Sequence, residues 1–147
     1  AQIANGGYKI YPKIVLKKYD EDLKEDKFQP LVKNSKNIKI VQEAMFSSTN
    51  EVRGTSYRSR IDDPKYQFAG KTGTAQNPHG EDHSIFISFA PIKNPEIAIA
   101  VYVENGGWGS TWAVPIGSLM IEKYLKKTIK NKAKEDFIIS GNLITKK

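Results

Sequence analysis

Cysteine is absent from this chain of 147 residues, so it can form neither a disulfide nor a cysteine-ligated zinc site. Histidine is scarce, and His79 and His83 are too few for a convincing metal centre. We therefore expect no metal and no cofactor. Arginine is scarce too, at 3 of the 23 basic residues. Because readers of nucleic acid usually align arginine forks with aromatic side chains on one element, we expect no nucleic-acid partner.

Long apolar runs are also missing. No stretch approaches the ~20 apolar residues that span a bilayer, and the first residues show no signal-peptide pattern. The composition is that of a globular domain with a modest core, at 39% hydrophobic and 27% charged residues. The net charge of +7 is interpreted as a solvated lysine surface. The alternative is weak attraction to an anionic membrane or cell-wall polymer.

The first half of the sequence predicts one strand and one helix. Ala1–Ala4 resembles a helix end that the turn signal Asn5-Gly6-Gly7 stops, so we expect the natural sequence to begin further upstream. An edge strand is predicted within 8–19, followed by an exposed connection over 20–36. Ser35 is predicted to cap a helix that stops near Gly54. Its apolar face is formed by residues at helical spacing: Ile38, Ile40, Val41, Ala44 and Met45.

The second half predicts three antiparallel strands, near 66–75, 84–90 and 96–103, with short turns between them. Ser110 or Thr111 is predicted to cap a final helix. Its predicted apolar face is Ile121, Tyr124, Leu125, Thr128 and Ile129. The fold class is therefore α+β, an antiparallel sheet with packed helices. We assign residues 1–130 to one domain and residues 131–147 to a basic C-terminal tail with a short apolar segment, Phe137–Ile139.

The most specific chemistry lies in Gly70–Gln76, which reads GKTGTAQ. Its Lys71-Thr72-Gly73-Thr74 string resembles the Lys-Thr-Gly element of penicillin-binding proteins and serine β-lactamases. Other stretches resemble class B penicillin-binding proteins in the expected order. They are Ile3–Gly7, Tyr11-Pro12, Gly54-Thr55, Asp82-His83, Phe89–Pro91, Asn94-Pro95 and Val103–Gly107. The last of these is most similar to the penicillin-binding protein 2 branch, the elongation transpeptidases of rod-shaped cells. The resemblance covers about residues 1–127.

One family motif is missing. Those enzymes carry a Ser-x-x-Lys nucleophile motif, and no serine of this chain is followed three residues later by lysine. Ser-x-Asn occurs at Ser35–Asn37, Ser48–Asn50 and Ser140–Asn142, which we interpret as chance matches. We therefore expect this chain to be the C-terminal part of a transpeptidase domain, inactive alone, whose nucleophile lies elsewhere.

The resemblance implies roles for the Lys-Thr-Gly strand in serine acyl transfer. Lys71 would polarise the proton relay and attract the substrate carboxylate, and Thr72 and Thr74 would offer hydroxyls to that carboxylate. Gly73 would let the ligand approach the backbone, and the Thr74 N–H would be the second oxyanion donor. Lys71 and Thr74 are thus the predicted catalytic residues, and Lys71–Thr74 the predicted substrate-binding residues.

Three further side chains keep two interpretations. His83 resembles a family histidine that could shape the site, but a structural hydrogen bond at the start of a strand is favoured over catalysis. Trp108 and Trp112 flank the start of the final helix. Packing against the sheet is favoured for both, with recognition of a glycan or protein partner as the alternative.

The resemblance also implies a setting. The longer protein would be a peptidoglycan D,D-transpeptidase in the bacterial periplasm, attached to the inner membrane by an N-terminal anchor absent here. Its partners would be peptidoglycan stem peptides, β-lactams and proteins of the cell-elongation machinery. A penicillin-sensing receptor domain and a non-catalytic remnant acting as an interaction module are the alternatives. We also expect the chain to self-associate through apolar surface on its sheet and helices.

Overall fold

The computed structural model describes residues 1–12, 17–18, 21–22 and 29–142. The strands are β1 (Lys17–Lys18), β2 (Glu21–Asp22), β3 (Ala69–Ala75), β4 (His83–Ala90) and β5 (Ile97–Val103). The helices are α1 (Ser35–Asn50), α2 (Ala113–Lys126) and α3 (Lys132–Ser140), with 3₁₀ turns at Tyr57–Ser59 and Pro64–Tyr66. In these ranges no helix is long and apolar enough to cross a membrane.

A three-stranded antiparallel sheet in the order β3-β4-β5 organises the molecule. Thr72 lies opposite Phe86, and Phe86 opposite Val101, so these three side chains share one face. The predicted α+β class and the three antiparallel strands are confirmed. β3 begins three residues later than predicted because Pro64–Tyr66 forms a 3₁₀ turn, capped by the Asp63 carboxylate.

Helix α2 covers one face of the sheet and forms the main core. Phe86, Val114 and Ile121 are fully buried there. Gly117 allows close packing, since a Cβ at this position would lie 2.8 Å from the Phe86 ring. Burial of such side chains stabilises a domain by about 1.5–3 kcal/mol each. α2 is therefore fixed to the sheet mainly by apolar contact.

Helix α1 covers only part of the opposite face. Met45 packs on Ala69 and Phe89 in a second, smaller core. Further along this face, Ile87 and Tyr102 are 42% and 57% exposed. The predicted self-association would use this surface and stays a prediction.

The predicted cap and face of α1 are partly wrong. Asn34, not Ser35, is the N-cap, and its side chain accepts a hydrogen bond from the Lys36 N–H at 3.0 Å. Met45 is buried as predicted, but Ile40 and Val41 are 63% and 41% exposed. The inward face instead includes polar residues that find partners, so apolar periodicity alone placed it incorrectly. The helix also ends at Asn50, ahead of the predicted stop near Gly54.

The C-terminal helices also differ from prediction. Neither Ser110 nor Thr111 caps α2; Trp112 is the N-cap residue and makes no capping hydrogen bond. Lys127 takes a left-handed conformation with φ 61° and ends the helix, so Thr128 and Ile129 lie beyond the face predicted for them. The segment predicted as a basic tail contains α3.

The first residues form hydrogen-bonded turns, and Gly6 and Gly7 have φ values of 88° and 93°. These left-handed conformations agree with the predicted stop signal. Tyr8 pairs with Pro30 in an isolated antiparallel bridge. The rest of the predicted edge strand and connection lies largely outside the described residues.

Candidate active-site strand

The beginning of β3 is held by the end of α1. The Thr49 hydroxyl, fully buried, donates to the Phe68 carbonyl at 2.7 Å, and the Asn50 amide donates to the same oxygen at 3.0 Å. The amide that completes the Ser48–Asn50 match to Ser-x-Asn thus supports the strand, and the interpretation of this match as chance stays a prediction.

Gly70 is required by packing. A Cβ at this position would overlap the Phe86 ring, which is itself fully buried. β3 can therefore lie close to the core only where no side chain intervenes. Together with Thr49 and Asn50, this contact fixes the position at which the Lys-Thr-Gly string begins.

From Lys71 onward the strand is accessible. Among the described residues β3 pairs only with β4, so its other edge is free. Lys71 is exposed, and its ammonium donates to the Thr72 carbonyl at 3.0 Å without a carboxylate partner in the described part of the chain. Thr74 is exposed and lies opposite Ser84 of β4. The predicted site residues Lys71–Thr74 are thus presented along one strand at the surface.

Thr72 has a neighbour that sequence analysis did not place in the site. Its hydroxyl lies 3.3 Å from the Thr55 hydroxyl, which lies 3.3 Å from the Ser48 hydroxyl. These hydrogen bonds are longer than the usual 2.7–2.8 Å for hydroxyl pairs. The Gly54-Thr55 pair could have indicated this contact, but the sequence analysis used it only as one of the stretches that resemble the family.

Gly73 differs from Gly70. A Cβ on Gly73 would meet Ile85 Cβ at 3.4 Å, an ordinary van der Waals distance. Gly109, in contrast, lies against this strand, because its Cβ would come within 2.6 Å of the Gly73 carbonyl oxygen and 2.7 Å of the Ile85 carbonyl oxygen. Packing within the described chain therefore requires glycine at 109 but not at 73.

His83 has a structural hydrogen bond. It is the first residue of β4, and its Nδ1 accepts from the Asn105 N–H at 3.1 Å. Its ring also packs on Tyr102, with 5.2 Å between ring centroids. In the neutral imidazole the proton is then on Nε2. This geometry agrees with the favoured interpretation, and a site-shaping role stays a prediction.

The two tryptophans between β5 and α2 have different environments. Trp112 stacks on Phe137 of α3, with 5.2 Å between centroids and 17° between planes, so its ring packs on a helix. Its predicted packing against the sheet stays a prediction. Trp108 is 76% exposed. The buried Ser84 hydroxyl fixes this loop by donating to the Trp108 carbonyl at 3.0 Å and accepting from the Ala113 N–H at 3.1 Å. The described residues contain no acidic or histidine cluster that could hold a metal ion.

Comparison with known sequences places this strand in context. The family profile described as "Penicillin binding protein transpeptidase domain" matches residues 1–122. The peptidoglycan D,D-transpeptidase MrdA of Haemophilus influenzae is 33% identical over 100 residues, which cover 58% of this chain and 15% of that protein. The chain thus corresponds to a small part of the length of this relative.

Solved structures share the fold. Pseudomonas aeruginosa PBP2 in complex with WCK 5153 superposes with a TM-score of 0.72 at 30% identity, covering 89% of this chain and 29% of that one. Penicillin-binding protein A from M. tuberculosis, as its imipenem acyl-enzyme complex, gives 0.67 at 32% identity over 84% and 28% of the two chains. PBP2 from Helicobacter pylori in its complex with MreC gives 0.57 at 27% identity over 69% and 19%.

Proposed function

Because this chain belongs to the penicillin-binding protein transpeptidase family, in its class B, PBP2-type branch, we propose that it is the C-terminal part of a peptidoglycan D,D-transpeptidase. The longer protein that would contain it is called the parent protein below. The resemblance stated from the sequence is confirmed at the level of this branch.

The proposed reaction is acyl transfer. A serine of the parent protein attacks the carbonyl between two D-alanines, the terminal D-alanine leaves with a proton, and an amine of a neighbouring stem peptide then displaces the serine. This chain supplies neither the nucleophile nor its lysine partner. It supplies the strand against which the substrate lies. The support for this role is the Lys71–Thr74 stretch of β3, whose outer edge is unpaired among the described residues and in which Lys71 and Thr74 are exposed.

Lys71 is proposed to act through its charge. Its ammonium has no carboxylate partner in the described residues, so it is available to an external anion. A substrate carboxylate near it would gain a charge-assisted hydrogen bond, which is about twice as strong as a neutral one. In the same position Lys71 would stabilise the proton relay around the serine.

The threonines are proposed to complete the substrate contact. Thr72 has only the long hydrogen bond to Thr55, so its hydroxyl can turn to a carboxylate at little cost. The Thr74 N–H is the proposed second oxyanion donor, and such a donor contributes about 3 kcal/mol of transition-state stabilisation. Gly73 leaves room for the substrate backbone. Packing within the described chain does not require a glycine at this position.

The setting is proposed from the relatives. One neighbour forms an acyl-enzyme complex with imipenem, and another forms a complex with MreC. We propose β-lactams and stem peptides as ligands of the parent protein and elongation-machinery proteins as its partners. A periplasmic location, an inner-membrane anchor and a role in cell shape belong to the same proposal.

A fluorescent penicillin tests the proposal. The parent protein should form a covalent adduct that survives a denaturing gel and adds the mass of the penicillin. The 147-residue chain should form none, because no serine here has the motif lysine. An adduct on the short chain would overturn the missing-nucleophile interpretation. A parent protein that is never acylated would favour the non-catalytic remnant, and one acylated without transpeptidation would favour the penicillin-sensing receptor.

A further inference from the structure

The Gly54–Ser59 segment connects the candidate active-site strand to the C-terminal helices. One end of this segment contacts β3, because the Thr55 hydroxyl lies 3.3 Å from that of Thr72. The same end is tied to α1, where the Ser56 N–H donates to the Ser48 carbonyl at 3.0 Å. A 3₁₀ turn over Tyr57–Ser59 then leads to the other end.

The Ser59 carbonyl is the anchor at that other end. It accepts from the Ser118 hydroxyl of α2 at 2.6 Å and from the Lys134 ammonium of α3 at 3.0 Å. The Lys134 ammonium also donates to the Ser118 oxygen at 2.8 Å. Ser118 is fully buried and Ser59 nearly so. Three elements that are distant in sequence therefore meet at one carbonyl oxygen.

Helix α3 is positioned for this contact by a second interaction. Phe137 stacks on Trp112 at the start of α2, and the Asn131 side chain caps α3 by accepting from the Lys134 N–H at 3.0 Å. The family match ends at residue 122, so α3 lies outside it. The contact between α3 and Ser59 is therefore not part of the stretch that the family profile describes.

The Ser118–Lys134 pair also has the distance expected of a serine nucleophile and its lysine base. Two observations exclude that role. Ser118 has no exposed surface, so no substrate carbonyl can reach its oxygen, and its proton is donated to the Ser59 carbonyl. The pair is therefore an internal anchor.

We infer that Lys134 is a positioning residue that, through Ser59, fixes the Gly54–Ser59 segment and so holds Thr55 against Thr72. The importance of Thr72 for substrate rests on the proposed function, whereas the chain of contacts does not. Burial lowers the pKa of the Lys134 ammonium, because desolvation disfavours its charged form. A methionine in its place would remove the desolvation penalty together with the anchor, so a local effect is expected without an equal global one.

Amide hydrogen exchange on the 147-residue chain tests this inference. In Lys134→Met, the Ser56 and Ser59 amides should exchange about tenfold faster or more, while amides of the β4–β5 ladder change less than about twofold. Lys134→Arg should restore most of the protection, because a guanidinium can also donate to the Ser59 carbonyl. Lys130→Met is the matched control, an exposed lysine in the link to α3, and should change neither set.

Two results would overturn the inference. Unchanged protection at Ser56 and Ser59 in Lys134→Met would show that Ser118 alone holds the segment. An equal acceleration of every amide would show a purely global role. Should Lys134→Met fail to fold, Lys134→Gln retains a neutral amide NH2 as donor and must give an intermediate local effect. Because exchange is read without substrate, this test can fail while the proposed transferase function stands, and the reverse.

Discussion

The two parts of β3 differ in how completely their polar and apolar groups are used. Around Phe68–Gly70, a buried threonine and an asparagine bind one carbonyl, and an aromatic ring fills the place of a side chain. Over Lys71–Thr74, Lys71 and Thr74 are exposed and Thr72 and Gly73 are half-buried, and the side chains make one weak or local hydrogen bond apiece at most. The difference indicates that the first part fixes position and the second remains available for a ligand. Functional groups are effective when rigid neighbours hold them.

The largest effect is expected from a substitution in the accessible part of β3, Lys71–Thr74. Lys71→Ala in the parent protein should slow acylation by penicillin about 30- to 1000-fold, because a charge that acts in the transition state is worth about 2–4 kcal/mol. The melting temperature should hardly change, since an exposed lysine contributes less than about 0.5 kcal/mol to folding. Thr72→Val should act in the same direction but more mildly, because it removes one neutral hydroxyl.

Second-order acylation constants with thermal melts measure this prediction. If Lys71→Ala is acylated at the parental rate, the match of β3 to the family motif reflects common descent and not a role in acylation. A loss of folding in the same variant would mean that the exposed part also fixes the strand.

Two glycine substitutions compare the parts directly. Gly70→Ala should destabilise the chain by about 1–3 kcal/mol, because the added methyl overlaps the buried Phe86 ring. Gly73→Ala should cost less than about 1 kcal/mol, because its methyl meets Ile85 at 3.4 Å. Urea unfolding of both variants measures the difference. Equal destabilisation by the two substitutions would contradict the proposal that the two parts of β3 have different roles. In the parent protein, Gly73→Ala should slow acylation.

Thr49→Val tests the polar support of the buried part. The substitution keeps the shape but removes the donor to the Phe68 carbonyl, and we expect a loss of about 1–2 kcal/mol of unfolding free energy. The loss is limited because Asn50 continues to donate to the same oxygen. Ser47→Ala, on the half-buried part of the same helix, is the control. A Thr49→Val chain as stable as its parent would show that Asn50 suffices.

The smallest expected effect concerns the pKa of the partly buried Lys134, in contrast to the exposed Lys71 of β3. Burial lowers the pKa of Lys134 below 10.5, with Arg60 and Lys126 reinforcing the shift and Glu122 and Asp62 opposing it. Above the lowered pKa the unfolded chain binds more protons than the folded one, so stability rises with pH up to about 10.5 and stays level beyond. Urea unfolding at about pH 7 and about pH 10 should show this rise in the wild type and not in Lys134→Met. The same rise in both chains would contradict it.

Much of the sheet and the candidate strand could be predicted from sequence. These elements are marked by the β-rich runs ending at Ala90 and Val103 and by the GKTGTAQ string. Such signals depend only on residues that are neighbours in the sequence, so they can be recognised without the structure. The inward face of α1 could not be predicted, because Gln42 and Thr49 face inward to bind carbonyls of Ile3 and Phe68 that are distant in sequence. Helix α3 was missed because its lysines predicted a solvated tail, whereas Lys134 is satisfied by a carbonyl 75 residues away.

That separation has a consequence for the order of assembly. Neighbouring strands β3, β4 and β5 make local contacts, which form early because little chain entropy is lost in joining them. The bonds to the Ser59 carbonyl join residues 59 and 75 positions apart, so we expect them to form late. The segment beside the candidate strand would therefore reach its final position only after the sheet has formed.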